Sequence, residues 1–396
     1  MANLHVLVAG AGLGGLALAQ GLQRSGIDVT VVEQDRSLTA RTQGYRLHID
    51  ADAREALAQV LPDASMRLFL ATAGVPAPRF MALDDQLETV FTQSAATAGA
   101  DLAVDRLVLR RILLAGVQGR VVFGKKLDRF VERQAGVTAF FSDGSRTDAD
   151  VLVAADGVGS AVRRQYLPHA RIVDTGVWQI YGRVPLDERT RPLFDERMHG
   201  IFTVIGGPEG TFVGVAPVEF GEPPHAAAAR IAPEVVLPPT ADYMTCSFGA
   251  RREWFGGLSD DELRALSGDH LHELVTGAVR TWHPRVQEIV AQCEPASMFG
   301  LPLRSSVPIS RWATSRITLL GDAIHAMSPA AGAGACVALR DAARLTTALG
   351  EAATRRDLVE AVRDYESDMI ERGFAAVVAG AENGERFLGQ DPLPAA

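Results

Sequence analysis

Cysteine, lysine and long apolar runs are all scarce in this sequence, and each scarcity excludes a class of protein. Three cysteines in 396 residues, Cys246, Cys293 and Cys336, are too few and too widely spaced for a disulfide framework or a zinc site, which fits a reducing cytosol. Lys125 and Lys126 are the only lysines, so arginine carries nearly all the positive charge. Asp and Glu (48) outnumber Lys and Arg (39), giving a net charge of −9, and the basic residues are scattered rather than massed. No field for a polyanion results, and a nucleic-acid partner is not expected. No run of about 18 apolar residues occurs, so no membrane partner is expected. The apolar N-terminal stretch lacks the basic flank of a signal peptide. The expectation is a cytoplasmic protein, monomer or homodimer.

What the sequence does hold is ample apolar material, 47% of residues, enough for two or three packed domains. The opening reads as a βαβ unit: a buried strand over Leu4–Ala9, a glycine turn, a helix over Leu13–Ser25 and a second strand ending at Glu33. Such a unit implies a doubly wound α/β sheet. Val151–Ala155 reads as a third buried parallel strand, and Arg106–Leu114 has helical spacing. Two extended pieces about Asp84-Asp85 suggest a hairpin, and Val121–Phe123, Phe130–Arg133 and Val137–Phe141 read as a meander closed at Asp143-Gly144. From Gly176 to Ala250 the chain is strand-rich and aromatic, interrupted by a Pro/Ala-rich stretch over Glu222–Thr240. Helical patterns follow to Cys293, then a strand over Ile317–Leu320, a helix over Ala335–Leu349 and a long one over Arg356–Phe387.

Gly10-Ala11-Gly12-Leu13-Gly14-Gly15 is the first constellation with chemical meaning. Gly10 permits a tight turn, Gly12 lets a pyrophosphate approach the backbone, and Gly15 lets helix and strand pack closely. Glu33 at the end of the second strand is placed to accept hydrogen bonds from an adenosine ribose; its alternative is a solvated strand end. Only one such fingerprint is present, so any second nucleotide must bind without one. The second constellation runs from Gly321-Asp322 through His325 to Pro329, then Gly332-Ala333-Gly334 and Ala335 at a helix start, with Asp341 beyond. A strand-end carboxylate beside a glycine-rich helix start offers a hydroxyl acceptor and a positive dipole end, which suits a ribityl chain and a reduced flavin ring. The alternative is a structural Asp capping a turn. His325 reads as structural.

With Ala155-Asp156-Gly157, Ser160 and Arg163, these motifs resemble the single-component FAD-dependent aromatic hydroxylases of the 4-hydroxybenzoate hydroxylase type, which include tetracycline- and polyketide-modifying members. The resemblance covers about Leu4 to Leu349. It implies a Rossmann-like FAD-binding domain with an inserted mixed-sheet substrate domain and a long C-terminal helix. The division is residues 1–72, 98–175 and 300–350 for FAD, 73–97 and 176–299 for substrate, and 351–396 for the helix. It implies that Glu33 holds the adenosine ribose, Asp156 serves FAD and NADPH handling, and Asp322 holds the ribityl chain. Arg110, with Arg106 as a weaker counterpart, resembles the arginine near the FAD phosphates, and Arg41 a flavin-contacting arginine. By spacing alone, Arg106 and Arg110 fit a solvated helix face equally well.

The activity implied is monooxygenation: NADPH or NADH reduces FAD, dioxygen adds as a C4a-hydroperoxide, and oxygen passes to an aromatic, polycyclic small molecule. Tyr45, His48, Tyr181 and Arg183 are pocket candidates for activating a phenol, without a single catalytic base among them. Trp178, Phe202, Tyr243 and Phe248 are candidate substrate walls, each also compatible with sheet core. Cys336 stands where the family often has Asn, either as a reactive thiol at a helix start or as a small packing residue. Halogenation or ring reduction on the same scaffold, and a catalytically silent FAD-binding sensor, are the competing readings. The halogenase Trp-x-Trp-x-Ile-Pro signature is absent, with only a distant echo from Trp178 to Pro185.

Overall fold

The computed structural model describes residues 4–40, 44–94, 101–354 and 357–394. Short apolar segments drawn from both ends and the middle of the chain form a five-stranded parallel sheet, with the strand His5–Ala9 between Val151–Ala154 and Asp28–Glu33. Ile317–Leu319 and Val121–Phe123 form its two edges. Strands buried on both faces need helices on both, and Leu13–Arg24 is the crossover after the first strand. Its residues from Leu13 to Leu22 are all buried.

The placement of Val121–Phe123 corrects the expected meander. That segment pairs with Val31–Glu33 in the parallel sheet, and the antiparallel group is instead Leu127–Arg133, Gly136–Phe141 and Arg146–Ala149. A three-residue apolar run has no periodicity to distinguish the two sheets, so tertiary pairing decided it.

A seven-stranded mixed sheet lies against this unit, with Phe299–Ser306 at one edge, then Ile172–Pro185, Tyr243–Arg251, Phe212–Val218, Gly200–Gly206 and the hairpin Ala77–Asp84 and Thr89–Ser94. Strand alternation gives it two distinct faces. Trp178, Ile180, Val184, Met244, Cys246 and Phe248 point outward into a core closed by the helices Asp260–Ala265, Gly268–Ala278 and Pro284–Ala291. Opposite registers place Tyr181 across from Ser247 and Pro185 across from Tyr243 on the inner face. The Pro/Ala-rich interruption contains a short helix, Pro224–Ile231.

The helix Gly334–Thr354 packs on Leu13–Arg24, and the long helix Leu358–Leu388 packs on both it and the parallel sheet. The Tyr365 hydroxyl donates to the Leu319 carbonyl at 2.8 Å, and buried Glu366 accepts from the hydroxyls of Thr314 and Thr318. The far end of this helix, Phe387 and Leu388, reaches the inner face of the mixed sheet beside Phe202 and Phe212. No helix among the described residues is long and apolar enough to cross a membrane.

Candidate functional site

The glycine turn is built from four glycines with different tasks. Gly10 has φ +109°, and a Cβ there would lie 2.2 Å from the Ala155 carbonyl oxygen. A Cβ at Gly15 would lie 2.0 Å from the Gly10 oxygen, and one at Gly14 would lie 2.6 Å from Leu320 Cδ1. Gly12 differs: among the described residues nothing comes within 4 Å of a Cβ placed there. The chain thus packs against three of the glycines and leaves open space over the fourth, at the N-terminus of a 12-residue helix. Unpaired helix N–H groups and the helix dipole make that space suitable for a phosphate. Leu13 faces the core instead.

Glu33 ends its strand with a buried carboxylate that accepts the N–H of Ala11 at 2.8 Å and of Asp35 at 2.9 Å. Arg110 approaches from the helix Arg106–Leu114. Its Nε donates to the Ala11 carbonyl at 2.9 Å, its Nη1 to Leu38 at 3.0 Å, and its Nη2 lies 3.7 Å from Glu33 Oε2. Arg110 is therefore buried, which excludes the solvated-face alternative for it. One turn earlier on the same helix, Arg106 Nε has no hydrogen-bond partner among the described residues. Burial lowers its pKa, opposed by the charge of Asp322. Arg41 lies outside the described residues.

The other two motifs meet through side chains. Asp156 accepts the Ala161 N–H through Oδ2 at 2.8 Å, while Oδ1 is buried and unpartnered among the described residues, and desolvation raises its pKa. Ser160 caps the following helix by accepting from Arg163 N–H at 2.9 Å. Arg163 then donates to Val158 and Ala323 carbonyls at 2.8 and 2.9 Å, tying this loop to the Gly321-Asp322 turn. Gly321 adopts φ +58°, and its N–H donates to Asp341 Oδ2 at 3.0 Å. His325 Nε2 meets the same oxygen at 2.6 Å, and Arg372 Nη2 donates to Oδ1 at 2.8 Å. His325 and Asp341 thus set the turn that carries the exposed Asp322. A Cβ at Gly334, the first residue of the following long helix, would stand 4.0 Å from Asp322 Oδ1. Pro329 opens a single turn that Gly332 closes at φ +63°, beside His48. Ala335 packs against the core of this unit.

A cleft of about 440 Å³ opens between the helix Arg106–Leu114 and the inner edge of the mixed sheet. Tyr45, Arg183 and Tyr243 line it. The Arg183 guanidinium lies 5.6 Å from the Tyr45 ring centre and 5.7 Å from that of Tyr243, and its Nε donates to Glu294 at 2.9 Å. Tyr45 donates to the Ser297 carbonyl, and Tyr243 to Asp105 Oδ2 at 2.8 Å. Burial raises the pKa values of Tyr45 and Tyr243 and brings that of Tyr181 to about 12, so these phenols are neutral donors near pH 7 rather than bases. His48 is held by Asp101 at 2.7 Å.

The four candidate substrate walls divide. Tyr243 and Phe202 lie on the inner face, Phe202 stacked on Phe80 at 6.3 Å. Trp178 and Phe248 do not: each is one residue out of phase and sits in the outer core beside Phe255 and Trp254. The period-2 alternation of the strand is the reason, and it was readable only once the buried face was known. Cys336 is the packing residue, not the reactive thiol: buried, it donates to the His48 carbonyl at 3.2 Å, and desolvation pushes its pKa up to about 12. Sequence reading missed Asp105, which caps the helix Arg106–Leu114 by accepting from Val108 N–H at 2.8 Å while holding Tyr243. Its position before an apolar helical run was the available signal.

Residues 3–378 match a family described as the FAD binding domain. The chain is 31% identical over 409 residues to a dual O-methyltransferase/FAD-dependent monooxygenase of Cercospora beticola, covering 98% of this chain and 47% of that protein. This chain spans about half the length of the first curated relatives it matches. It is 30% identical to an FAD-dependent urate hydroxylase of Klebsiella pneumoniae, over 93% of this chain and 86% of the relative. The solved structure of Klebsiella pneumoniae HpxO with FAD and uric acid superposes with a TM-score of 0.76 at 26% identity, covering 98% of this chain and 90% of that one.

Proposed function

The chain belongs to the FAD binding domain family, that of the single-component FAD-dependent aromatic hydroxylases, and from that premise we propose that it is an FAD-dependent monooxygenase that uses NADPH or NADH and dioxygen to hydroxylate an aromatic, polycyclic small molecule. The observation that carries this reading is the open space over Gly12, framed by a helix N-terminus, Glu33 and Arg110, in a turn whose other glycines are closed by packing. Bound FAD would supply the redox chemistry, accepting two electrons and activating dioxygen.

The chain's own residues bind, orient and enclose. Backbone N–H groups at Gly12 and Leu13 would take the pyrophosphate, with Arg110 fixing the turn behind it and Arg106 adding charge one helical turn away. Glu33 would accept the ribose hydroxyls with the lone pairs its two backbone bonds leave over. Asp322 would accept from the ribityl hydroxyls, and the helix starting at Gly334 would stabilise negative charge on the reduced ring. Tyr45 and Tyr181, protonated at neutral pH, would serve as fixed polar surroundings. Phe202 and Phe212 on the inner face would exclude water.

The test is stopped-flow absorbance of the FAD-loaded protein with NADPH or NADH and a panel of polycyclic phenols, followed by mass spectrometry of products formed under ¹⁸O₂. Substrate-accelerated flavin reduction and one ¹⁸O atom in the product are expected. Reduction by either nucleotide without oxygen incorporation across the panel would replace this reading with a reductase.

A further inference from the structure

Tyr45, Tyr181 and Tyr243 are neutral donors, so none of them takes a proton from a substrate. One pair outside the 440 Å³ cleft can. His48 lies on the strand Arg46–Ile49, and Asp101 stands immediately before the paired strand Leu102–Asp105. The register sets His48 opposite Ala103, which puts Asp101 on the same face as its diagonal neighbour. Leu47 and Ile49 are buried on the other face, while the side chains of His48 and Asp101 remain 20% and 18% exposed.

Their bond sets the tautomer. His48 Nε2 lies 2.7 Å from Asp101 Oδ1, and a carboxylate only accepts, so Nε2 carries the hydrogen and Nδ1 keeps a lone pair. Nδ1 makes no hydrogen bond among the described residues, and a Cβ placed on Gly332 would stand 3.7 Å from it.

The surroundings tie this lone pair to the region between the two sheets. Gly332 and Gly334 belong to one short loop: a Cβ at Gly334 would meet Asp322 Oδ1, and one at Gly332 would meet His48. The pair thus stands at the opposite end of that loop from the carboxylate assigned to the ribityl chain. Neither side chain bonds to Glu33, Arg110 or Asp322 among the described residues. Cys336 holds the strand in place through the His48 carbonyl. Toward the other side, Arg46 shares the face of His48, and its Nε donates to the Pro217 carbonyl of the mixed sheet at 3.0 Å. Arg46 Nη2 is buried without a partner among the described residues. One strand face therefore carries a proton acceptor and spare cationic capacity roughly 7 Å apart. That combination suits a hydroxyl that becomes an anion.

We propose that His48 is the proton acceptor for a phenolic substrate and that Asp101 is the positioning residue that keeps its Nδ1 free. The proposal rests on the monooxygenase reading above. The substrate O–H bond breaks, its electron pair stays on oxygen, and the proton passes to Nδ1, leaving an imidazolium beside the Asp101 carboxylate. The phenolate so formed is more electron-rich at the ring carbons that take oxygen. When the oxygenated ring regains aromaticity, its carbon-bound hydrogen leaves to water as a proton and the imidazolium returns its own to the phenolic oxygen.

The experiment uses the FAD-loaded protein with the flavin oxidised and no nucleotide present. The probe is emodin, a trihydroxyanthraquinone whose phenolate absorbs at longer wavelength than its phenol and the flavin. Emodin is titrated at neutral pH into wild type, His48→Ala, His48→Gln and Asp101→Asn, with FAD content and melting temperature recorded for each. Wild type is expected to bind it with the phenolate band. Both His48 variants should bind it as the phenol, the band falling about tenfold or more, and imidazole should restore the band in His48→Ala. The amide of Asp101→Asn can donate to Nε2 and move the hydrogen to Nδ1, so this variant should lose the band without rescue by imidazole. If His48→Ala fails to retain FAD, His48→Gln and Asp101→Asn carry the test. A phenolate band of wild-type strength in the His48 variants would overturn the proposal, as would emodin bound by wild type only as the phenol, or not bound. An altered flavin spectrum with unaltered emodin ionisation would overturn it too, making His48 a neighbour of the flavin alone. The band is read without oxygen transfer, so it is independent of the monooxygenase reading, which stands or falls on ¹⁸O incorporation.

Discussion

Arg110 and Glu33 hold opposite sides of one peptide: Ala11 gives its N–H to Glu33 at 2.8 Å and receives Arg110 Nε on its carbonyl at 2.9 Å. Their own charged atoms are 3.7 Å apart. The turn between the first strand and first helix is therefore clamped by two residues 77 positions apart in sequence, before any ligand arrives.

That clamp separates two kinds of glycine substitution. Gly12→Ala adds a methyl group where nothing stands, so the apoprotein is expected to melt at the wild-type temperature while FAD affinity falls by about tenfold or more. Gly15→Ala drives a methyl group to 2.0 Å from the Gly10 oxygen and is expected to lower the melting temperature as well. Differential scanning calorimetry with FAD titration distinguishes them. Equal losses of stability in both variants would mean that the space over Gly12 is structural.

Tyr243→Phe removes the hydroxyl that Asp105 accepts, deep in the protein. Desolvation already raises the pKa of Asp105, and losing a donor raises it further. The expected cost is about 1–3 kcal/mol in urea unfolding, with the helix Arg106–Leu114 loosened at its cap. An unchanged midpoint would mean that water replaces the phenol.

The His325–Asp341 pair predicts a pH dependence of stability. Burial lowers the pKa of His325, but the charge and hydrogen bond of Asp341 outweigh it and the net shift is upward. A raised folded value means that this stabilisation is full below the ordinary histidine range of about 6.5 and is lost as pH rises through the folded value. On the Asp341 side, desolvation raises the pKa, and the charges of His325 and Arg372 overcome it. That lowered value keeps the pair intact as pH falls through the usual carboxylate range. Wild-type melting temperature should therefore decline as pH rises above the ordinary histidine value and through the raised folded one, and His325→Asn should flatten the decline. A parallel slope in the variant would assign it to other groups.

All three cysteines should resist a thiol reagent in the native state. Cys336 is held up at about 12, and the pKa of Cys293 is raised by its hydrogen bond to Cys246 and by burial. Ellman's reagent should read no fast thiol in buffer and three in denaturant; one fast thiol in the native protein would restore a reactive cysteine.

The sequence by itself determined the first βαβ unit, the helix Arg106–Leu114 to the residue, and the order of the three motifs. These are set by local rules: hydrophobic period, glycine where the backbone must turn tightly, and a cap before a helix. Tertiary structure alone decided which sheet Val121–Phe123 joined, which aromatics of the mixed sheet faced inward, and that Asp341, Arg163 and Arg110 each support a turn far from them in sequence. A strand shows two faces with equal propensity, and only the partner that covers one of them removes the ambiguity. Likewise, a buried arginine and a solvated one have the same spacing on a helix, and the difference appears only when another segment supplies the carbonyl it holds.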